Sequence, residues 1–406
     1  MSTVKDKIVE LVNSIGSRLI EISDMIHENP ELGFQEHFAS NLLSTELERN
    51  GFSVERGVSG LPTAFKAVYT VGKGEPKIAF LAEYDALPKL GHACGHNIIG
   101  TAAVGAGIVL SRLAKAENLD CTVIVFGTPA EEGAVDNAGG KVLMLDEISK
   151  ADVVLMIHPA DRTSIGYTSL AREAFKIEFY GKAAHAAAFA HKGINALEAL
   201  ILTFVSINAL RQHLKKDAMI HGIVEHGGDA PNIVPDYTSG RFYARAATIE
   251  YLGEVVKKIK RCAEGAALQT GAKMKFTKTA NSYANAIPNH TLIEVASKNF
   301  RYLGLTPPTI EELKSVKNMG STDFGNVSQL VPALEINPGI VPLGTPAHSV
   351  AFAEAAGSKP GHDGLLLGVK LLALTGFDLL SDSNLISNAK KELKERRERI
   401  QEEAKL

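Results

Sequence analysis

Three short apolar runs each lead within a few residues to titratable side chains: KIAFLA at 77–82, CTVIVFG at 121–127 and ADVVLMI at 151–157. Runs of this length bounded by polar residues read as buried strands. Between the first two lies AAVGAGIVLSRLAKA, a long small-residue and apolar stretch that reads as a helix. Strand, helix, strand in that order predicts parallel sheet covered by helices, an α/β arrangement. On such sheets ligand sites form in the loops leaving the carboxyl ends of the strands. The residues just after these three runs are therefore where chemistry is expected.

The rest of the chain fits around this frame. Ile8, Leu11, Val12, Ile15, Leu19 and Ile22 recur at helical spacing and predict an opening amphipathic helix, which Asn29-Pro30 and Gly33 break. Phe38 to Leu47 reads as a second helix, stopped by Gly51. Near residue 170 the pattern changes. FKIEFYG reads as a strand, INALEALILTFVSINAL as a helix, MIHGIVEHGG and SGRFYARAATI as strands, a helix follows over roughly 250–268, and KMKFTKT closes the series. That is the ferredoxin-like order. The expected organisation is a first catalytic part over 1–170, an inserted α+β domain over 171–280, a second part over 281–385, and a charged tail over 386–406. HTLIEVASKNFRYL, the start of TPPTIEELKSV and VPALEI return the chain to the α/β pattern. The tail either extends a terminal helix or forms a solvated end, since its mixed charges bury nothing by themselves.

A chain of 406 residues, 45% of them hydrophobic, has material for two cores. Its net charge of -3 offers no basic footprint for nucleic acid. IVLSRL and LLLGVKLLALTGF are short or broken, so no membrane span is expected. The start mixes charges into its apolar pattern and lacks a signal-peptide core, and Cys94, Cys121 and Cys262 are too scattered for a disulfide scaffold. The cytoplasm is the expected location. GVSG and VGKGEP lack the strand–glycine loop–helix fingerprint of a nucleotide site.

The densest polar segment is AEYDALPKLGHACGHN at 82–97, carrying Glu83, Asp85, His92, Cys94 and His96 at a strand exit. Thiolate and imidazole are good ligands for borderline divalent metals, and neighbouring glycines let Cys94 and His96 converge. Taken alone, a glycine-rich helix start whose histidines cap backbone groups explains this segment equally well. TPAEEGA at 128–134 follows the second run. Glu131 and Glu132 would repel if both were buried and unpaired, whereas a metal lets one coordinate and the other shuttle a proton. A solvated surface pair is the plainer explanation until the strand exit is considered. His158 follows the third run and His348 lies in the turn-rich LGTPAHS. Cys94, His96, Glu132, His158 and His348 thus come from four loops, and five ligands with water fit two neighbouring ions better than one tetrahedral site. Zn and Mn suit the set, and Co or Ni would also be accepted.

HENPELGFQE, DALP before HACGHN, TPAEEG, GKAAHAAAFAHKGINALEAL, GGDAPNIVPD and the late TPAHS occur in this order over residues 20–375. As a set they resemble the M20 metallopeptidase family, in its aminoacylase/carboxypeptidase and amidohydrolase branch. Within that branch the chain looks like the aminoacylase-1-like 2 subgroup, known for dipeptide hydrolysis, and is also similar to the aminobenzoyl-glutamate hydrolase type. The resemblance implies a di-metal catalytic α/β domain with a mostly parallel central sheet, interrupted by a smaller α+β lid that commonly mediates homodimerisation. It makes Cys94 the thiolate bridging two divalent ions, with His96, Glu132, His158 and His348 completing the sites. Glu131 becomes the general base, and Asp85 a residue that orients His96 or another ligand through its second ring nitrogen. Many family members carry HxD or an aspartate at the bridging position, so Cys94 matches the cysteine-bearing branch alone. Glu83-Tyr84 before Asp85 departs from that branch's usual aspartate-x.

In the lid, the resemblance casts His185 of GKAAHAA as an oxyanion donor reaching an active site across the dimer. Without the motif it reads as an ordinary edge histidine. Asn232 of APNIVPD either binds a substrate carboxylate or amide or makes an Asx turn beside Pro231 and Pro235. Arg245 either neutralises a carboxylate or is a solvated strand-edge residue. The expected activity is hydrolysis of an amide bond in small N-acyl amino acids or dipeptides, by metal-activated water with Glu131 as base. The alternatives are a carboxypeptidase releasing one C-terminal residue and a non-enzymatic, metal-stabilised binding protein. The intact Glu131 speaks against the latter, since a structural site needs no proton shuttle.

Overall fold

The computed structural model describes residues 3–133, 135–316 and 320–403. Residue 134 of TPAEEGA and residues 404–406 of the charged tail lie outside the described residues. The chain forms two compact units. Ser169–Asn285 makes the second, joined by residues 320–322, and the segments before and after it make the first.

The first unit opens with the helix Val4–Glu28. Thr3 accepts from the Asp6 N–H, and the Asp6 carboxylate accepts from the Thr3 N–H, a reciprocal cap that satisfies two otherwise orphaned donors. Ile8, Val12, Leu19, Ile22 and Ile26 form its buried stripe. The second helix, His37–Arg49, buries Leu43 and Leu47. Six strands of this unit come next: β1 (Ser53–Arg56), β2 (Phe65–Val71), β3 (Lys77–Ala82), β4 (Cys121–Gly127), β5 (Val153–Ile157) and β6 (Ser164–Ile165). The second unit then contributes β7 (Ala171–Tyr180), β8 (Met219–His226), β9 (Tyr237–Ala246) and β10 (Lys273–Lys278) before β11 (Ala333–Asn337) returns to the first.

The sheet of the first unit runs β1-β2-β4-β3-β5-β11-β6. Its centre, from β4 to β11, is parallel as the apolar runs implied, and antiparallel strands flank it on both sides, giving a mixed sheet. In register, Ala82 lies opposite Gly127 and Phe80 opposite Leu155. The carboxyl ends of β3, β4 and β5 are therefore side by side, and the residues that follow them emerge at one edge.

The helix His96–Ala116 links β3 to β4 and is buried along nearly its whole length. At Gly100 a side chain would meet the Glu83 carbonyl oxygen at 2.6 Å, so glycine is what lets the helix lie against the end of β3. This helix and Lys359–Ser381 are long and apolar enough to cross a membrane by composition, but their buried residues pack into the core of this unit. The charged tail forms the helix Ser383–Glu403. Ile386, Ala389 and Leu393 supply its buried face, while Glu392 accepts from the His290 and Thr291 N–H groups at the start of the helix His290–Tyr302.

The second unit is a four-stranded antiparallel sheet in the order β10-β7-β9-β8. The helices Ala196–Arg211 and Ile249–Thr270 pack on it around Phe175, Ile177, Phe242, Leu252 and Ile259. Asn195 and Thr248 cap the two helices with their side chains, fixing where each begins. The order of elements is the ferredoxin-like one, with β8 at an edge.

Candidate metal centre

Four loops of the first unit converge on one cluster of donors. After β3 the chain passes Glu83 and Asp85, both buried, and turns through Gly95 at φ 74° to start the next helix at His96. That left-handed turn is open to glycine, and a side chain there would also meet Pro159 at 2.9 Å. It sets Cys94 and His96 on the same side of the loop. After β4, Thr128 binds back to the Ala82 carbonyl through its N–H and its hydroxyl, and Ala130 adopts φ 54°. The strained conformation at Ala130 turns Glu131 and Glu132 inward. His158 leaves β5, its N–H donating to Ile336 of β11. His348 adopts φ 59°, and its N–H donates to the Ala93 carbonyl at 2.9 Å, tying the late loop to the cysteine loop.

Among the described residues three groups of three donors result, and two of them contain Cys94. Cys94, His96 and His158 form one, and Cys94, Glu132 and His348 the other, with ligand atoms in each within 4.8 Å of one another. His96, Glu131 and Glu132 form a third such group. Cys94 Sγ lies 3.5 Å from His158 Nε2, and His348 Nε2 lies 3.2 Å from Glu132 Oε1. His96 Nδ1 is 2.9 Å from Asp85 Oδ1, while the Glu132 N–H donates to Asp85 Oδ2 at 3.0 Å. One carboxylate thus steadies two donors. The His158 Nδ1 contact with the Pro159 carbonyl, at 3.0 Å, likewise turns its Nε2 toward the thiol.

The donor set fits two divalent cations. His96 Nε2 is buried without a hydrogen bond among the described residues, which a ring nitrogen facing a cation explains. Burial works against ionisation of the Cys94 thiol, but the charge of His158 and contacts to His158, His348 and His96 outweigh it and hold the thiol well below its usual range. A thiolate is the form that binds metal. Glu131 is pushed well above the carboxylate range by burial and then by the neighbouring charges of Glu83, Glu132 and Asp323. Cations in the adjoining groups would oppose that push.

Cys94, His96, Glu131, Glu132, His158, His348 and Asp85 are therefore brought together. The lid candidates belong to the second unit. His185 is exposed, and its Nδ1 accepts from the Ala187 and Ala188 N–H groups at 3.3 and 3.2 Å, which leaves the proton on Nε2. Asn232 is its neighbour: the Asn232 carbonyl accepts from the Ala186 N–H at 2.9 Å. Arg245, at the far end of β9, donates to Ser321 at 2.8 Å and stands opposite Arg172 in the β7 pairing. Its guanidinium is lowered by burial and by the charge of Arg172.

Glu83 has no role assigned from the sequence, and Glu36, Lys141 and Asp323 are absent from the sequence candidates. Glu36 is buried and accepts from the Ala130 N–H and the Thr63 hydroxyl, each at 2.8 Å. Lys141 and Asp323 are buried and paired. Glu36 closes the HENPELGFQE motif, and that position was the signal that could have marked it. Lys141 and Asp323 carry no local signal.

Comparison with known proteins agrees with this geometry. Residues 173–271 match the family model described as a peptidase dimerisation domain. The chain is 36% identical over 410 residues to a Xaa-Arg dipeptidase of Mus musculus, covering 97% of this chain and 93% of that protein. It is 29% identical over 449 residues to a p-aminobenzoyl-glutamate hydrolase chain of Escherichia coli (strain K12), covering 92% of each. The crystal structure of the Bacillus subtilis YXEP protein, described as a dinuclear metal binding peptidase from the M20 family, superimposes with a TM-score of 0.67 at 21% identity, over 91% of this chain and 99% of that one.

Proposed function

Since this chain belongs to the M20 metallopeptidase and amidohydrolase family, we propose that it is a dipeptidase whose hydrolytic centre is the cluster around Cys94. It is a metal-dependent amide hydrolase of small substrates. The observation that carries the reading is the sharing of Cys94 by two three-donor groups. Dipeptides with a basic C-terminal residue are the first substrates to test, a choice supported by the 36% identical Xaa-Arg dipeptidase. The aminoacylase-1-like 2 type of specificity follows from the same reading.

Cys94, His96 and His158 would hold one ion, and Cys94, Glu132 and His348 would hold the other. Thiolate and imidazole favour zinc, and manganese is the second choice. When bound, the two cations supply a polarised substrate carbonyl and a more acidic water. Glu131 takes the proton of the attacking water and returns it to the departing amine, since its neighbour Glu132 fixes it beside the centre. Asp85 keeps His96 turned with Nε2 inward. His185, from the lid of a second copy, donates a hydrogen bond from Nε2–H to the developing oxyanion and keeps its proton. Asn232, beside His185, binds a substrate carboxylate or amide, and Arg245, at the other end of β9, neutralises a carboxylate.

The homodimer is formed through the second unit. Its helix Ala196–Arg211 leaves Ile201 and Val205 exposed at 43% and 57%, and its edge strand β8 leaves Ile223 and Val224 exposed at 64% and 51%. An apolar helix face beside an unpaired strand edge suits a second copy of itself.

The test is a screen of the metal-reconstituted enzyme against dipeptides and N-acyl amino acids, read by amine release. Faster release from Xaa-Arg and Xaa-Lys dipeptides than from N-acyl amino acids supports the proposal. Preference for N-aroyl glutamates would favour the reading suggested by the Escherichia coli relative, and no release from any amide would end both.

A further inference from the structure

Behind the donor cluster lies a chain of charges that the hydrolytic mechanism does not use. Lys141 is completely buried at the second position of the helical turn Gly140–Leu143. Its Nζ lies 2.6 Å from Glu83 Oε1 and 2.5 Å from Asp323 Oδ1, and its own N–H donates to Asp323 Oδ2 at 2.9 Å. The turn rests on the loop that carries Glu131 and Glu132. The Gly139 N–H donates to the Ala130 carbonyl at 2.7 Å, and a side chain at Gly140 would meet the Pro129 carbonyl oxygen at 1.9 Å. Glu83 and Asp323 are 0% exposed, as is Lys141. A buried ammonium between two buried carboxylates is costly to assemble and is weak evidence for stability as such, so its retention calls for another account.

The other oxygen of Glu83 supplies one. Among the described residues neither Glu83 oxygen has a hydrogen-bond partner, but where Oε1 has the Lys141 ion pair, Oε2 lies 3.4 Å from His96 Nε2, which has no hydrogen-bond partner either. Asp85 occupies the opposite ring nitrogen of His96. The free oxygen of Glu83 therefore borders the place where a cation held by His96 Nε2 would sit. Lys141 fixes that carboxylate from behind through Oε1, and Asp323 fixes Lys141. We propose that Lys141 is a positioning residue for the His96–His158 ion, acting through Glu83. Asp323 and Lys141 hold the Glu83 carboxylate with one oxygen facing that ion, adding a negative charge to a group otherwise made of one thiolate and two imidazoles. The group with Glu132 already has its own carboxylate and does not depend on Lys141. This inference rests on the two-ion reading of the Cys94 cluster.

The experiment titrates zinc into the full-length protein, stripped of metal, in competition with a chromophoric chelator. Wild type and Lys141→Met, Lys141→Arg, Glu83→Gln and the Lys141→Met/Glu83→Gln double variant are compared. Melting of each stripped protein is recorded beside it. Wild type is expected to take two ions. Lys141→Met and Glu83→Gln should weaken one of the two by about 10–100-fold and leave the other unchanged, the usual effect of removing a partner behind a ligand. Lys141→Arg, which keeps the charge, should recover part of the loss. The double variant should be no worse than the worse single variant, because both changes break one relay. Equal weakening of both ions, unchanged affinity in a folded Glu83→Gln protein, or losses that multiply in the double variant would each overturn the proposal. If Lys141→Met does not fold, Glu83→Gln and Lys141→Arg still decide it. A wild-type protein that takes fewer than two ions would instead fail the two-ion reading itself.

Discussion

Asp85 Oδ1 lies 2.9 Å from Nδ1 of His96, and that contact decides which edge of the imidazole is left for a cation. The second oxygen of Asp85 accepts from the Glu132 N–H, so the same carboxylate holds a donor from each of the two Cys94 groups. Asp85→Asn would present an amide N–H to one of these two donors and free the His96 ring. We expect total metal affinity to fall about 10–100-fold with little change in fold. Chelator competition on the purified variant measures it; unchanged affinity for both ions would remove Asp85 from this role.

Glu131 sits beside Glu132 but is not needed to complete either Cys94 group. Glu131→Gln keeps volume and removes the proton acceptor. Turnover should drop about 100–10,000-fold, the range for loss of a positioned acid–base group. Bound metal and melting temperature should stay as in wild type. Steady-state assays with matched metal analysis test this, and a variant retaining most of its kcat would exclude Glu131 as the base.

Glu36 gives a prediction about pH. Burial, together with the charge of Asp85, pushes its carboxyl up to about 7. The folded protein therefore binds a proton that the unfolded chain releases nearer the ordinary glutamate value of 4.5. Stability linked to this group is fully present below that value and is lost as pH rises through 7, an effect of about 3 kcal/mol at 1.36 kcal/mol per pKa unit. Glu36→Gln cannot titrate, and its amide replaces one of the two acceptors used by Ala130 and Thr63. It should be less stable than wild type at pH 5, with the difference shrinking by pH 8. Urea unfolding of the metal-stripped proteins at both pH values measures the two slopes, and parallel slopes would contradict the prediction.

Much of this centre was legible because its elements are local. β3, β4 and β5 are continuous apolar runs, and each donor loop that follows them starts within a few residues of a strand end, so an extended segment and its polar successor could be read together. The lid was legible for the same reason, its helices and strands alternating in clear periods. The flanking strands were not. Ser53–Arg56 is four residues long and largely exposed, so it carries almost no periodic signal, and β6 has two residues. The docking of the tail also lay beyond sequence. Its three buried residues are spaced for a helix face, but nothing local says that Glu392 will cap a helix starting at His290. Lys141 and Asp323 are the extreme case, since their pairing is set by tertiary structure over 182 residues and each alone reads as a surface charge.

The role of His185 has a test that depends on symmetry. Its Nδ1 accepts from two backbone N–H groups, so the neutral ring must carry its proton on Nε2 and can donate from there without first gaining charge. His185→Ala should lower kcat by about 100–1,000-fold, the cost of one oxyanion donor, with metal content unchanged. If His185 serves the neighbouring copy's centre, a mixed dimer of His185→Ala and Glu131→Gln chains regains one complete site: the intact Glu131 of one chain meets the intact His185 of the other. Each homodimer alone has none. Mixing the two variants under conditions that exchange chains should therefore restore activity well above the sum of the separate preparations. Exchange that yields the mixed species, verified by mass spectrometry of differently tagged chains, with no gain in activity would place His185 within its own chain's chemistry or outside the reaction.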